Sequence, residues 1–269
     1  MVDSHCHLAG EEFASDLDAV VSRAQAAGVT GALCILAAGD AAEAERAAVV
    51  RAAWPAVRFS VGIHPHQAGA FAGPIDAPET AGQIVAAMEI VRLALDDHGA
   101  CAIGEIGLDY HYDFAPREAQ QAIFSAQVRL AAERGLPVVI HTREAAADTF
   151  RILRDDGPGV RGVFHCFTGD EEMARAALDA GFHLSFAGIV TFPRARSIRD
   201  AAKIVPAGRL LAETDSPFLA PVPFRGKRNE PAHVVHVVDA LAQVRGIPAA
   251  ELGALAAANF VSLFGHAPA

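Results

Sequence analysis

Six side chains in this sequence are suited to metal binding: His5, His7, Glu105, His141, His165 and Asp215. Imidazoles mixed with carboxylates suit Zn, Mn, Fe or Co better than Ca, and Mg stays open if a second site is loosely held. Each lies at or beside the end of a short apolar run, where a strand hands over to a loop. Ligands scattered along a chain at equivalent strand ends predict one metal centre at the mouth of a barrel. Two ions about 3.5–4 Å apart clamp the attacking and leaving oxygens of a phosphoryl displacement, and a metal draws the pKa of its water from 15.7 toward about 7.

The spacing assigns roles. Strand side chains alternate faces, so His5 and His7 point one way and Cys6 the other. A lone His-x-His is more often a pair of ordinary core or surface histidines. Glu105 closes Cys101-Ala102-Ile103, where a carboxylate needs a cation, either a metal or an Arg or Lys. Val138-Val139-Ile140-His141 and Gly162-Val163-Phe164-His165 are matched apolar strands closed by histidine. Glu213 and Asp215 share a face. Asp215, nearer the mouth, is the better ligand and proton carrier, with Glu213 deeper as an orienting group or a buried ion pair. The expected centre has His5, His7 and Asp215 on one ion, His141 and His165 on the other, and Glu105 between. Catalysis is assigned to Asp215 and Glu105.

These side chains need a scaffold of repeated strand ends. Candidate strands fall at 1–5, 31–36, 58–62, 100–105, 137–141, 161–165, 182–186 and 209–213. They are near-continuous apolar runs, as parallel strands covered on both faces require. Helix signals lie between them: Asp40 before an Ala/Glu/Arg run, Pro116 in a first turn with Gly135 at the end, Asp170 as a cap with Gly181 beyond, and Pro231 before Gly246. Eight strands each followed by a helix read as an α/β (β/α)8 TIM barrel, one domain over 1–269. The rival, an open doubly wound sheet, gathers its polar residues at one switch point. Here they close strands from first to last.

Composition narrows the function. The 269 residues are 52% hydrophobic, which suits a globular domain. The net charge of −10 argues against a broad basic face for duplex DNA. An anionic substrate then needs local cations or metals. Cys6, Cys34, Cys101 and Cys166 lie in or beside apolar runs without a Cys-x-x-Cys pair, which predicts reduced thiols and a cytoplasmic protein. No apolar run reaches the ~18 residues of a membrane span, and no basic-then-apolar leader is expected.

The motifs together resemble the TatD family of metal-dependent deoxyribonucleases, among the amidohydrolase-like barrels. The matching segments are His5-Cys6-His7-Leu8, Gly62-Ile63-His64-Pro65-His66, Gly104 through Tyr110, Pro137 through Arg143, Phe164 through Gly169, Glu213 through Pro217, Asn229-Glu230-Pro231 and Asn259 with Leu263-Phe264. The resemblance implies a TIM barrel of the metallo-dependent hydrolase type and a nuclease or phosphodiesterase with two divalent metal ions (Zn, Mn or Mg), and the leading expectation is hydrolysis of DNA at single-stranded or frayed ends. It also implies that His64 and Arg143 contact a substrate phosphate. Arg225 joins them from a positive stripe with Lys227 and Arg228, whose alternative is a solvated loop. Ala9, where the family often has an acidic residue, and the Arg-rich 224–229 loop depart from the family pattern. Alternatives are hydrolysis of another bond (a D-aminoacyl-tRNA ester, an amide or a lactone) and a metal-binding protein without turnover. His98, His111, His183, His233, His236 and His266 are not expected to bind metal. A monomer is expected.

Overall fold

The computed structural model describes residues 1–112 and 114–265; His266 lies outside them. Eight strands stand in consecutive order in one sheet: β1 Val2–Cys6, β2 Gly31–Ala37, β3 Arg58–Gly62, β4 Ala102–Asp109, β5 Val138–Arg143, β6 Gly162–Phe164, β7 His183–Phe186 and β8 Leu210–Ala212. Nine helices are described: α1 Leu17–Ala26, α2 Ala41–Ala53, α3 Thr80–His98, α4 Arg117–Arg134, α5 Ala146–Asp156, α6 Glu171–Asp179, α7 Arg196–Ile204, α8 Val234–Arg245 and α9 Ala249–Phe264. This is the (β/α)8 barrel expected, with an added helix after β8. No single helix among the described residues is long and apolar enough to cross a membrane.

The helix signals have physical counterparts. Asp170 accepts a hydrogen bond from the Met173 N–H at 3.0 Å and so caps α6. Gly135 and Gly246 end α4 and α8 in the left-handed conformation, which glycine adopts at no steric cost. Pro116 stands just before α4 rather than inside its first turn. Pro231 opens a short 3-10 turn that leads into α8.

By compactness the chain forms two units, Met1–Ile35 with Ala42–Arg58 and Phe164–Ala269, and Leu36–Ala41 with Phe59–Val163. In the first, the start of the chain is sewn to its far end. The Asp215 N–H donates to the His5 carbonyl at 2.9 Å, and the His7 N–H donates to the Ser216 carbonyl at 2.8 Å. Deeper, the Asp3 carboxyl accepts from the Thr214 N–H at 2.8 Å and shares a 2.5 Å bond with the Thr214 hydroxyl. Asn229, fully buried, donates to the carbonyls of Thr214 and Phe218 at 2.8 and 2.7 Å, holding the segment around Asp215 in place. Next to it Glu230 takes a two-pronged grip from Arg23.

In the second unit α4 lies along β4 and buries Ala119, Ile123, Phe124, Leu130 and Ala131. Two glutamines lie on that buried face. Gln127 accepts from the Ile63 N–H at 2.7 Å and donates to the Ile63 carbonyl at 3.0 Å. Gln120, one heptad earlier, accepts from the Asp109 N–H at 2.8 Å and donates to the Asp109 carbonyl at 3.0 Å. Each glutamine supplies backbone bonds that the end of a strand has lost, a need that buried peptide groups must meet.

Two strands carry one residue more than their neighbours. Between Asp3 and Cys6, β1 advances three residues while β2 advances two, from Ala32 to Cys34. Between Ile103 and Ile106, β4 does the same against Val138 to Ile140 of β5. Such bulges re-aim side chains, and these fall on the segments that hold His5 and Glu105. Gly107, at φ 141°, follows the second bulge, and a Cβ there would lie 1.9 Å from the His141 carbonyl oxygen. The close approach of β5 therefore requires glycine at this position.

Asp3 generates a pH prediction. Burial pushes its carboxyl up from 3.8 to about 8, against the opposing hydrogen bonds from Thr214 and His5. Below 3.8 the folded and unfolded chains both hold the proton, so this stabilisation is fully present. It drains as pH rises toward about 8, because the unfolded chain gives up its proton first. Asn reproduces the protonated acid: its oxygen accepts from Thr214 and its amide donates to the hydroxyl. We expect Asp3→Asn to be tolerated and to gain on the wild type by a few kcal/mol between about pH 5 and about pH 8.5. Urea midpoints of the metal-free proteins measure this, and parallel pH curves would contradict it.

Candidate metal centre

The first unit gathers His5, His7 and Asp215. His5 Nε2 and His7 Nε2 are 3.3 Å apart, and Asp215 Oδ1 lies 3.6 and 3.5 Å from them. Bonds of about 2.0–2.1 Å to a tetrahedral metal put neighbouring ligand atoms about 3.3–3.4 Å apart. The three atoms thus have the spacing of ligands around one ion, and their lone pairs converge where only a cation or a proton relieves the repulsion. Burial alone would push the Asp215 carboxyl up. The hydrogen bond from His7 and the nearness of His5 and His165 outweigh it and hold the group below the ordinary range. Asp215 also has a φ of 56°, a conformation costing a non-glycine residue about 1–3 kcal/mol and typical of functional positions.

His165 joins this set by stacking on His5, with ring centroids 4.0 Å apart. Its Nδ1 is 3.3 Å from Glu213 Oε1, which also accepts from the Cys166 N–H at 2.6 Å. Glu213 therefore orients His165, the first of the two roles open to it. Its other oxygen, Oε2, is buried with no hydrogen-bond partner among the described residues. The Cys6 thiol points away and donates to the Leu33 carbonyl at 3.4 Å.

The second unit gathers His64, Glu105 and His141. Glu105 Oε1 is 2.9 Å from His141 Nδ1 and 3.3 Å from His64 Nε2. His141 Nε2 is 3.0 Å from Asp109 Oδ2, which also meets His66 Nε2 at 2.9 Å. When Nε2–H donates to Asp109, the His141 Nδ1 lone pair is turned toward a Glu105 oxygen. Two acceptors at that distance need a proton or a cation between them, and carboxylate–histidine–metal is one arrangement that supplies it. The donor sets in both units fit a divalent metal.

Asp109 was not singled out from the sequence. It is wholly buried, and its Oδ1 accepts from the His111 and Tyr112 N–H groups at 3.0 and 3.2 Å. Burial would raise its pKa, but the hydrogen bonds from His141 and His66 prevail and keep it well below the usual carboxylate range. Burial lowers the His64 pKa, with Glu105 opposing, which favours an uncharged ring with a lone pair to offer.

Of the expected substrate contacts, His64 stands in the Glu105 cluster itself. Arg143 is exposed at the end of β5, its guanidinium 4.8 Å from the Tyr112 ring centroid. Arg225 lies over Phe192 at 4.3 Å and lines a cavity of about 430 Å³ with Phe192, Pro193 and Arg194. The basic stripe is divided: Arg228 is held by Asp16 at 2.7 Å, and Lys227 stands over Phe224. Of the other histidines, His111 pairs with Glu144 and His233 stacks on Phe224.

The sequence profile described as TatD related DNase matches residues 2–265. The chain belongs to this family. It is 41% identical to the uncharacterized metal-dependent hydrolase YcfH of Escherichia coli (strain K12), covering 98% of this chain and 95% of that one. It is 36% identical to the 3'-5' ssDNA/RNA exonuclease TatD of Erwinia tasmaniensis, over 98% and 99%. Among solved structures, the TatD homologue YJJV from Escherichia coli K12 superposes with a TM-score of 0.82 at 28% identity, over 98% and 97% of the two chains. As a TatD-family member the protein is a metal-dependent hydrolase acting on ester bonds.

Two variants probe how the centre is held. Gln127→Leu strands the Ile63 N–H and carbonyl and should cost about 2–4 kcal/mol, read as a lower urea midpoint with an unchanged slope. Asp109→Asn should weaken divalent-metal binding about 10–100-fold by calorimetry; unaltered affinity would leave Asp109 without a part in the centre.

Proposed function

We propose that the protein is a two-metal nuclease that hydrolyses phosphodiester bonds of DNA at single-stranded or frayed ends. The observation that carries this reading is the convergence of imidazole and carboxylate atoms at ligand spacing in a TatD-family chain. A relative 36% identical over 98% of the chain is named an exonuclease of single-stranded DNA and RNA. His5, His7 and Asp215 would hold one ion, and His141 and His165 the other, with Glu105 shared. The strand ends of a (β/α)8 barrel meet at one mouth, which brings such ligands within reach of each other. Zn, Mn and Mg all suit the set, and the protein acts as a cytoplasmic monomer.

When bound, the metals polarise the phosphoryl oxygen and lower the pKa of the attacking water. The protein's own residues do the rest. Asp215 keeps its charge near neutral pH and takes up the proton that water releases. Arg143 offers a planar fork to a phosphate, and Arg225 meets the strand beyond it. For His64 the geometry favours a second role, because its Nε2 faces Glu105 as a ligand to the ion there would.

Metal analysis beside a nuclease assay tests the reading. The wild type should bind two equivalents and release nucleotides from single-stranded DNA. Glu105→Ala should lose metal and at least about 100-fold in rate. A folded, metal-loaded wild type that leaves DNA intact but hydrolyses a D-aminoacyl-tRNA ester or a lactone would overturn it.

A further inference from the structure

Beside the Glu105 cluster, within the second unit, the protein exposes aromatic surface that the chemistry above does not use. Phe114 is 64% exposed and Tyr112 41% exposed. Their rings stack with centroids 5.2 Å apart and an interplanar angle of 30°. His66 meets Phe114 edge-on at 4.7 Å and Tyr112 at 5.7 Å, and the Arg143 guanidinium covers the Tyr112 ring. The other side of His66 faces the centre, with His64 at 4.3 Å and Asp109 at 2.9 Å. Phe114 and His66 also line an open cleft of about 560 Å³ with Gly39, Asp40, Gln67 and Phe71, a volume that takes a nucleotide-sized ligand.

Large apolar rings left in water beside a catalytic centre mark a binding surface. The charges around this one narrow its occupant. Of the nearby acids, Asp109 and Glu144 are engaged by His66 and His141, and by His111, respectively, and Asp40 is an exposed carboxylate lining the cleft. Arg143 stands over the platform itself and offers a phosphate fork. A planar ring that stacks and a phosphate that pairs with guanidinium are the two halves of a nucleotide.

We infer that Phe114, backed by the Tyr112 ring, forms a stacking platform for an unpaired nucleobase next to the scissile phosphate. Arg143 holds a phosphate of the same strand. This rests on the nuclease reading and adds how the strand is recognised. A base inside a duplex has no free face to offer, so the platform selects single strands without reading sequence.

The test uses the full-length, metal-loaded protein and a short single strand carrying 2-aminopurine at its terminal residue. The wild type should quench the probe on binding. Phe114→Ala and Tyr112→Ala should each raise KM about tenfold, within the range of one lost base stack, with kcat changed less than about threefold. Phe114→Tyr should restore the wild-type KM. On a strand with abasic terminal residues the wild type and both alanine variants should share one KM, because the base that stacks is gone. Equal KM values for wild type and alanine variants on the base-bearing strand would overturn the platform and leave the nuclease reading standing. Quenching that Phe114→Ala abolishes, in a wild type that never cleaves, would sustain the platform and overturn the nuclease reading.

Discussion

The seam between β1 and the segment after β8 is the constraint on which the first ligand set depends. Two backbone hydrogen bonds, from Asp215 to His5 and from His7 to Ser216, fix the register of residues 210 positions apart. Side-chain chemistry deepens the seam. Asp3 fills the acceptor role that the Thr214 N–H requires, and Asn229 occupies the carbonyls of Thr214 and Phe218. A one-residue slip here would send Asp215 to the opposite face. The seam and the spacing of the ligand atoms are therefore one fact.

The second set is positioned differently. It depends on α4, whose Gln120 and Gln127 bind the backbone of Asp109 and Ile63 at the ends of two strands. In both sets an acid behind a histidine sets its direction, Asp109 for His141 and Glu213 for His165. The acids sit behind the imidazoles as well as between them, which raises the basicity of the rings. Within a net charge of −10, the acids Glu105, Asp109 and Glu213 are each turned to a histidine ring.

Much of this was legible in the sequence. Short apolar runs marked all eight strands, and β3 was placed to the residue. The largest departure is at β4, expected to end at Glu105, which runs on to Asp109. A bulge and a glycine in a conformation closed to other residues let the strand continue, and neither leaves a signature in hydrophobic pattern. Asp109 was missed for that reason, although Glu105, Gly107 and Asp109 follow the alternate spacing that would have placed it on the ligand face. Gln120 and Gln127 were missed because amphipathic patterning assigns glutamine to solvent. Their role depends on unpaired peptide groups on another strand, which no local window contains. In the stripe at Arg225, Lys227 and Arg228, one charge, Arg228, is tied to Asp16.

The joining of β1 to a segment some 210 residues downstream sets an order of events during synthesis. Until Asp215 and Ser216 have been made, one edge of the first strand has no partner there, and His5 and His7 have no carboxylate beside them. The nascent chain carries an open strand edge for most of its length, the species most prone to adhere to neighbours. These three side chains can come together only late in synthesis, once Asp215 has been made.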